Sequence, residues 1–459
     1  MGKLFGTDGI RGICNRDHIT PELGFKLGRA IVHFYKRRGN SPFVVIGRDT
    51  RASGEMLEHA LLSGIISEGW NVFLAGVLPT PGVAYLTRKS GAGSGIAISA
   101  SHNPHEYNGF KIFSHEGYKL SDSAESEIED LIFSPDNTQL QEGYVKPGTV
   151  EILNNAVDQY ISFLLETVTK ETPFKGMKIV IDCANGATYH SAPSLFDRLG
   201  AETECLFTHP DGKNINQNCG SEHTEALRHK VLKTASNVGL AFDGDGDRLI
   251  AVDENGRTLT GDQILTICAK MLKEKNELKK DIVVSTVMSN IGFQFALNDL
   301  GIKHISAKVG DRHVMEEMKA QNAVLGGEVS GHIIFSDYHT TGDGLLSALQ
   351  LLSAMQKYKS PLSKLSELMT FFPQTLINVP VQTKPDISTV PELVKVIEKI
   401  QQKLGKKGRV LVRYSGTEPV CRVMVEGEKE YQVEEYGRKI AMAVRENLSY
   451  SNSSDSSVG

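Results

Sequence analysis

Short apolar runs alternate with amphipathic segments along most of the chain, and a unit of strand, helix and strand occurs three times. In each copy a β-branched run precedes a polar turn and an amphipathic helix, and a glycine ends the helix. The first strands lie at 43–47, 179–182 and 282–285, and the glycines are Gly69, Gly200 and Gly301. The repeat predicts three α/β domains. A single large doubly wound sheet is the alternative, because repeated units alone do not separate the two architectures.

The pattern changes beyond residue 360, where prolines punctuate the chain at Pro361, Pro373, Pro380 and Pro385. It predicts strands at 375–381, 408–413 and 422–427 and helices at 391–404 and 431–448, which is a small α+β domain. The predicted domains are therefore 1–152, 153–254, 255–368 and 369–459. Residues 449–459 are rich in Ser, Asn and Asp, and we expect a frayed tail there.

Composition and charge narrow the class of protein. The chain has 459 residues, 40% of them hydrophobic and 23% charged, so it can bury the cores of about three or four domains with a cleft between them. Its 50 basic and 55 acidic residues form no long single-sign run, so nucleic acid and membrane surfaces are not expected partners. The six cysteines lack C-x-x-C spacing, and neither an apolar leader nor a membrane-spanning stretch is visible. These features predict a cytoplasmic protein with a small substrate.

Three carboxylates at alternate positions predict a metal loop. Asp243, Asp245 and Asp247 are separated by glycines and flanked by two apolar runs. Oxygen ligands at this spacing can converge on one hard cation. An EF-hand loop is the rival, but Arg248 stands where that loop needs Gly, and the flanks look like strands rather than helices. A plain acidic hairpin tip is the other alternative, although three such carboxylates repel one another without a cation.

A second polar loop follows the apolar run 96–100. It contains Ser101 and His102, and Lys111 lies in the segment just beyond. A serine beside a histidine suggests a nucleophile with an acid or base nearby. A serine hydrolase is a poor interpretation, because the G-x-S-x-G elbow is absent and neighbouring residues on a turn rarely face each other. Taken alone, this segment is also compatible with an ordinary turn.

Three further segments predict sugar or phosphate contacts. The loop 326–332 places Glu328 and Ser330 between glycines, which allows close approach to sugar hydroxyls. Residues 413–419, with Arg422 behind them, offer hydroxyls, backbone N–H groups and two guanidinium groups that suit a phosphate. Near the start, the Gly-rich turn 5–12 carries Arg11, which could clamp a phosphoryl group. Each of these segments alone could be an ordinary turn.

Together these loops resemble those of the α-D-phosphohexomutase superfamily from one end of the chain to the other. The motifs SASHNP, DGDGDR, GGEVSGH and RYSGTEP occur in the family's order, one in each predicted domain. The resemblance implies three related mixed-sheet α/β domains plus a smaller C-terminal α+β domain around a central cleft. It also implies that Ser101 carries a phosphoryl group.

Within the superfamily, the chain is most similar to the bacterial branch that acts on glucosamine phosphates. The segment FGTDGIRG and residues 214–216, 219–223 and 309–314 carry this similarity. Val329 stands where that pattern usually has Gln, and Tyr414 where it usually has Lys. Both differences bear on substrate preference rather than on the chemistry.

The resemblance implies a role for each matching residue. Ser101, His102, Lys111 and Arg11 would be catalytic, and a lysine can move the hydroxyl proton if cationic neighbours lower its pKa. The metal ligands would be Asp243, Asp245, Asp247 and an oxygen on phosphorylated Ser101. The implied substrate-binding residues are Arg248, Glu328, Ser330, His332, Arg413, Ser415, Gly416, Thr417 and Arg422.

The resemblance further implies one Mg²⁺ per active site and glucosamine 1,6-bisphosphate as the intermediate and activator. A hexosamine phosphate would be the substrate, an unidentified activator would first phosphorylate Ser101, and the chain would be a monomer or homodimer. Three alternatives stay open: the same chemistry on glucose or mannose phosphates, a metal-dependent phosphatase, and a binding protein that has lost catalysis.

Overall fold

The computed structural model describes residues 4–6, 8–134, 145–168, 174–415 and 419–448. The described strands form four sheets, of which three mix parallel and antiparallel pairs and the fourth is small and antiparallel. This arrangement confirms the predicted fold class, and the alternative of a single doubly wound sheet is wrong. One compact unit holds the first three sheets, and a second unit holds the fourth sheet together with Ser289–Asp299.

The first sheet brings the ends of two distant strands together. Its strands are β1 (Phe5–Gly6), β2 (Gly9–Ile13), β3 (Phe43–Arg48), β4 (Asn71–Val77), β5 (Ser94–Ile98), β6 (Tyr107–Ser114) and β7 (Val150–Ile152). Its helices are α1 (Pro21–Lys36), α2 (Gly54–Ser67), α3 (Thr80–Ser90) and α4 (Asp122–Phe133). The strand order is β1-β2-β6-β5-β3-β4-β7. Because β3 and β5 are parallel neighbours with Arg48 opposite Ile98, the residues that follow them lie at the same sheet edge.

The second sheet presents a buried hairpin. Its strands are β8 (Lys178–Asp182), β9 (Glu202–Leu206), β10 (Val238–Phe242), β11 (Leu249–Asp253) and β12 (Thr258–Leu259), in the order β12-β11-β10-β8-β9. Its helices are α5 (Ala156–Glu166), α6 (Thr188–Arg198) and α7 (Glu225–Thr234). Strands β10 and β11 are antiparallel, with Phe242 opposite Leu249, and every residue of both is buried. The loop 243–248 is therefore the tip of this hairpin.

The third sheet has the order β14-β13-β15-β16 and ends in another short hairpin. Its strands are β13 (Ile282–Thr286), β14 (Lys303–Ala307), β15 (Leu325–Gly327) and β16 (Ile333–Phe335). The helices in this part of the chain are α8 (Gly261–Glu274), α9 (Ile291–Asp299), α10 (Asp311–Gln321), α11 (Gly344–Tyr358) and α12 (Leu362–Ser366). Helix α9 belongs to the second compact unit. Gly327 pairs with Ile333, so residues 328–332 form the turn between β15 and β16.

The fourth sheet closely follows its sequence pattern. It consists of β17 (Gln374–Pro380), β18 (Arg409–Tyr414) and β19 (Val420–Glu426), in the order β17-β19-β18, with helices α13 (Pro391–Leu404) and α14 (Glu430–Leu448). Short 3₁₀ helices are Lys279–Asp281, before β13, and Ile387–Thr389 and Gly405–Lys407, between β17 and β18. The expected tail at 449–459 lies outside the described residues. No helix in the described part of the chain is both long and apolar enough to cross a bilayer.

Candidate active site

The tip of the β10–β11 hairpin gathers three buried carboxylates. Asp243, Asp245 and Asp247 each place an oxygen within 4.8 Å of the others. Gly244 allows the loop to approach the serine segment, because a Cβ on it would lie 2.6 Å from the carbonyl oxygen of Ser101. The hairpin therefore brings the three acids together beside Ser101.

The electrostatics of these carboxylates fit a cation. Burial and the neighbouring Asp247 and Asp245 raise the pKa of Asp243 well above its ordinary value. Burial also opposes ionisation of Asp247, but Lys111 and His332 outweigh it and lower the pKa of that carboxyl. Asp245 Oδ1 and Asp247 Oδ1 are buried and have no hydrogen-bond partner among the described residues. Two such oxygens beside a third carboxylate form a donor set of the kind that hard divalent cations prefer.

Ser101 lies beside the first of these carboxylates. Its hydroxyl donates a hydrogen bond to Asp243 Oδ2 at 2.5 Å, and the residue is 1% exposed. Its φ of +52° lies in the left-handed region, which is uncommon for a residue with a Cβ. A strained residue next to buried acids is typical of a functional site.

Lys111 is tied to the same acids. It lies on β6, and its Nζ donates to Asp245 Oδ2 and Asp247 Oδ2, at 2.7 Å each. Burial alone would lower the pKa of Lys111, but Asp245, Asp247 and Asp8 together raise it above its ordinary value. The condition under which a lysine would take up the hydroxyl proton, cationic neighbours that lower its pKa, is therefore not met, because acids surround this amine.

Two further residues that the resemblance marks as catalytic lie in the same compact unit. His102 follows Ser101, and burial, Arg248 and Arg11 lower its pKa to about 4. Its Nδ1 is buried without a hydrogen-bond partner in the described ranges. Arg11 on β2 forms an ion pair with Asp8. Asp8 Oδ2 is in turn 3.5 Å from Lys111 Nζ, which links the N-terminal turn to the acidic cluster.

The predicted sugar loop meets the metal loop through an isolated antiparallel β-bridge between the main chains of Arg248 and His332. His332 Nε2 is 4.0 Å from Asp247 Oδ2, and Arg248 Nε is 4.0 Å from Asp247 Oδ1. Glu328 accepts a hydrogen bond from the Gly310 N–H at 2.9 Å, and burial raises its pKa.

Ser330 Oγ, on the same turn, is buried without a partner among the described residues. The serine, metal and sugar loops are thus brought together within one compact unit.

The predicted phosphate loop lies in the second compact unit. Arg413 and Arg422 are directly opposite on β18 and β19, and burial and Arg422 lower the pKa of Arg413. Ser415 is buried, and its carbonyl oxygen accepts a hydrogen bond from Lys384 Nζ at 2.8 Å. Gly416 and Thr417 lie outside the described residues. Like charges facing each other across strands suit an anion between them.

The site contains several residues that were not predicted from the sequence. Lys119 forms ion pairs with Asp8 and Asp311, and Asp311 Oδ2 lies 3.4 Å from His332 Nε2. Asp8 and Asp311 occur in segments that carried the family resemblance, but nothing in the sequence marked Lys119. Arg51 contacts the serine loop directly through its side chain. Its only sequence signal is its place after β3, at the sheet edge where Ser101 also lies.

Comparison with known proteins defines the class. Family models of the phosphoglucomutase/phosphomannomutase alpha/beta/alpha domains I, II and III match residues 2–139, 158–256 and 260–372, and the model of the C-terminal domain matches 376–443. The chain therefore belongs to the phosphoglucomutase/phosphomannomutase family. It is a phosphohexose mutase, an enzyme of the isomerase class.

Similar full-length relatives point to one branch of this family. Phosphoglucosamine mutases from Syntrophus aciditrophicus and Syntrophobacter fumaroxidans are 54% and 52% identical to this chain. The first alignment covers 98% of this chain and 100% of the relative, and the second 97% and 99%.

Solved structures of the family share the fold. A phosphoglucomutase/phosphomannomutase family protein from Burkholderia thailandensis is 25% identical, with a TM-score of 0.79 over 98% of this chain and 100% of that one. An N-acetylphosphoglucosamine mutase from Aspergillus fumigatus has the same fold at 16% identity, with a TM-score of 0.67 over 98% and 96% of the two chains.

Proposed function

We propose that this enzyme interconverts glucosamine 6-phosphate and glucosamine 1-phosphate in the cytoplasm, through a phosphoserine at position 101 and glucosamine 1,6-bisphosphate. The observation that carries the proposal is the contact between the Ser101 hydroxyl and Asp243, inside a cluster of three acids and Lys111. The full-length relatives named as phosphoglucosamine mutases support the choice of sugar. The product would feed synthesis of UDP-N-acetylglucosamine and the cell wall.

The reaction consists of two transfers in opposite directions. In the first, the bond between phosphorus and Ser101 Oγ breaks as phosphorus bonds to O1 of glucosamine 6-phosphate, and the O1 proton passes to a protein group. The bisphosphate then turns end over end. In the second transfer its 6-phosphoryl group moves to Ser101, O6 takes up a proton, and glucosamine 1-phosphate is released. Such transfers depend mainly on positioning and on neutralisation of charge.

Asp243, Asp245 and Asp247 are the residues proposed to hold one Mg²⁺, together with an oxygen of the phosphorylated serine. Bound there, the ion would offset negative charge on the transferring phosphoryl group. The buried oxygens Asp245 Oδ1 and Asp247 Oδ1, which accept no hydrogen bond from the described residues, support this assignment.

Cationic and proton-moving roles fall to four side chains. Lys111, held 2.7 Å from two of the acids, supplies a fixed positive charge beside the reacting group. Arg11 and Arg248 add to that charge. His102 and Lys111 are the residues proposed to move the hydroxyl proton: neutral His102 can accept it, and protonated Lys111 can donate one to the departing oxygen.

Substrate recognition is assigned to two separate loops. Glu328, Ser330 and His332 would contact hydroxyls that look alike in both orientations of the sugar. The phosphate that is not reacting would be held by Arg413, Ser415, Gly416, Thr417 and Arg422. The facing arginines on β18 and β19 support this part of the proposal, because a dianion between them would offset their like charges.

Turnover of glucosamine 6-phosphate, glucose 1-phosphate and mannose 1-phosphate, measured side by side with Mg²⁺, tests the proposal. We expect the highest kcat/KM with the glucosamine phosphate. A higher value with glucose or mannose phosphate would favour the phosphoglucomutase or phosphomannomutase alternative, and stoichiometric release of free phosphate would favour a phosphatase. The same purified protein should be examined for its oligomeric state, monomer or homodimer, and for the activator that first phosphorylates Ser101.

A further inference from the structure

Both main-chain polar groups of Ser101 are held by side chains. Its N–H donates to Ser99 Oγ at 2.9 Å, and its carbonyl oxygen accepts from Arg51 Nη2 at 3.0 Å and from Asn216 Nδ2 at 2.9 Å. A residue with a Cβ does not favour the left-handed φ seen at Ser101. These three contacts therefore hold a conformation that the chain would otherwise tend to leave.

Arg51 uses every N–H of its side chain within this part of the fold. A guanidinium group has five N–H donors. One of them, on Nε, donates to Asp49 Oδ2 at 2.8 Å, and the other four reach carbonyl oxygens of a single loop. Those carbonyls belong to Ser101, Asn103, Pro104 and Tyr107. The side chain has no exposed area, so its contacts hold the loop and leave no donor for a substrate.

Asp49 connects the two sides of this arrangement. Its Oδ2 also accepts a hydrogen bond from Ser99 Oγ at 2.6 Å, and its Oδ1 accepts one from the Arg51 N–H at 3.0 Å. The Asp49 N–H donates to the carbonyl oxygen of Ile98 at 3.0 Å, which continues the pairing of β3 with β5. The buried Asp49–Arg51 ion pair is therefore linked to both main-chain groups of Ser101. It reaches the N–H through the Ser99 hydroxyl and the carbonyl oxygen through Arg51 itself.

We infer that Arg51 is a positioning residue for phosphoryl transfer: it fixes the left-handed main chain at Ser101 and so directs the hydroxyl toward Asp243. The inference rests on the proposed phosphoserine role of Ser101. Lysine cannot replace Arg51, because its three N–H groups radiate from one atom and cannot reach five acceptors in a planar fork. Asn216 acts in the same way from the second sheet's domain, with its amide on the carbonyls of Ser101 and Asn103.

The test compares Arg51→Lys with Arg29→Lys, a change at another buried arginine of the first domain that pairs with Glu68. Misplacing a reacting group by about 1 Å costs on the order of 100-fold in rate. We expect Arg51→Lys to lower kcat by about that factor while KM stays within about threefold. Arg29→Lys should lower thermal stability to a similar extent and leave kcat within about twofold.

Two measurements keep the inference open to refutation if Arg51→Lys does not fold. Asn216→Asp keeps the backbone preference and the size but turns a donor into an acceptor, and we expect kcat to fall about tenfold with KM little changed. Amide hydrogen exchange of the 99–107 peptide should accelerate in either variant, whatever the activity. Unchanged exchange and unchanged kcat would overturn the inference. If the wild type were inactive but either substitution still reduced the exchange protection of the 99–107 peptide, only the proposed function would be refuted.

Discussion

Around Ser101 the charges are buried together with their counter-charges, whereas on β18 and β19 Arg413 and Arg422 face each other with the same sign. The serine loop has its carbonyl oxygens fixed by Arg51 and Asn216, and Lys111 already contacts two of the acids. The arginine pair is only half-buried. The serine centre is therefore fixed by buried contacts between opposite charges, whereas the proposed phosphate site places two half-buried like charges side by side on neighbouring strands.

The largest expected effect is at the centre itself. Ser101→Ala removes the proposed phosphoryl carrier and one hydrogen bond to Asp243, and we expect kcat to fall on the order of 10⁴-fold or more. The fold should persist, because little buried area is lost. Peptide mass spectrometry of the digested wild type should place a phosphate on the Ser101 peptide. Near-normal turnover by Ser101→Ala would exclude the phosphoserine mechanism.

Next in size is the loss of one metal ligand. Asp245→Asn should lower both Mg²⁺ affinity and kcat, each on the order of 10²-fold, because the site loses a negative ligand. Asp253→Asn is the matched control: that carboxylate is also buried, at the far end of the same hairpin, and its Oδ1 accepts hydrogen bonds from the N–H groups of Asn255 and Arg257. Titration with Mg²⁺ after chelation separates the two variants. Full activity in the chelated wild type would contradict the metal assignment.

The arginine pair should respond differently from the centre. Its phosphate is present in substrate, bisphosphate and product, so truncation should remove largely uniform binding. For Arg413→Ala we expect KM to rise ten- to a hundredfold, as for a charge-assisted hydrogen-bond set of about 1.5–3 kcal/mol. Some loss of kcat would show that phosphate binding also drives a conformational closure that completes the active site. Arg438→Ala, on the exposed face of α14, is the control. An unchanged KM for Arg413→Ala would remove this loop from the substrate site.

The sequence predicted the features that depend on nearby residues, but it did not predict contacts between segments that are far apart in the chain. Strand and helix patterns in 375–448 correspond closely to β17 through α14, because they depend on neighbours in the chain. The raised pKa of Lys111 was not predicted. Its acidic neighbours Asp245 and Asp247 come from 134 and 136 residues away, on the hairpin of another sheet. Spacing along the chain does not reveal such contacts.

Arg51 was missed for the same reason. It is 50 residues from Ser101, and only the parallel pairing of β3 and β5 brings the two together. The three aspartates were found because a single loop carries all of them, so their spacing alone predicted that their oxygens converge.

The smallest expected effect concerns how the phosphate loop is supported. Lys384 donates to the Ser415 carbonyl oxygen at 2.8 Å, whereas four N–H donors of the buried Arg51 hold carbonyl oxygens of the serine loop. Lys384→Gln shortens the side chain and removes its charge, so we expect KM for the sugar phosphate to rise about threefold, equivalent to about 0.6 kcal/mol, with kcat unchanged.

Lys395→Gln, on the solvent-exposed side of α13, is the matched control, since it removes the same charge where the side chain forms a surface ion pair with Glu392. Steady-state kinetics of both variants at two ionic strengths separates a local effect from a general loss of positive charge. Equal KM values for the two variants would mean that Lys384 does not support the loop. A fall in kcat as large as that expected for Arg51→Lys would instead mean that the C-terminal loop is as rigidly organised as the serine centre, and the contrast between the two regions would be lost.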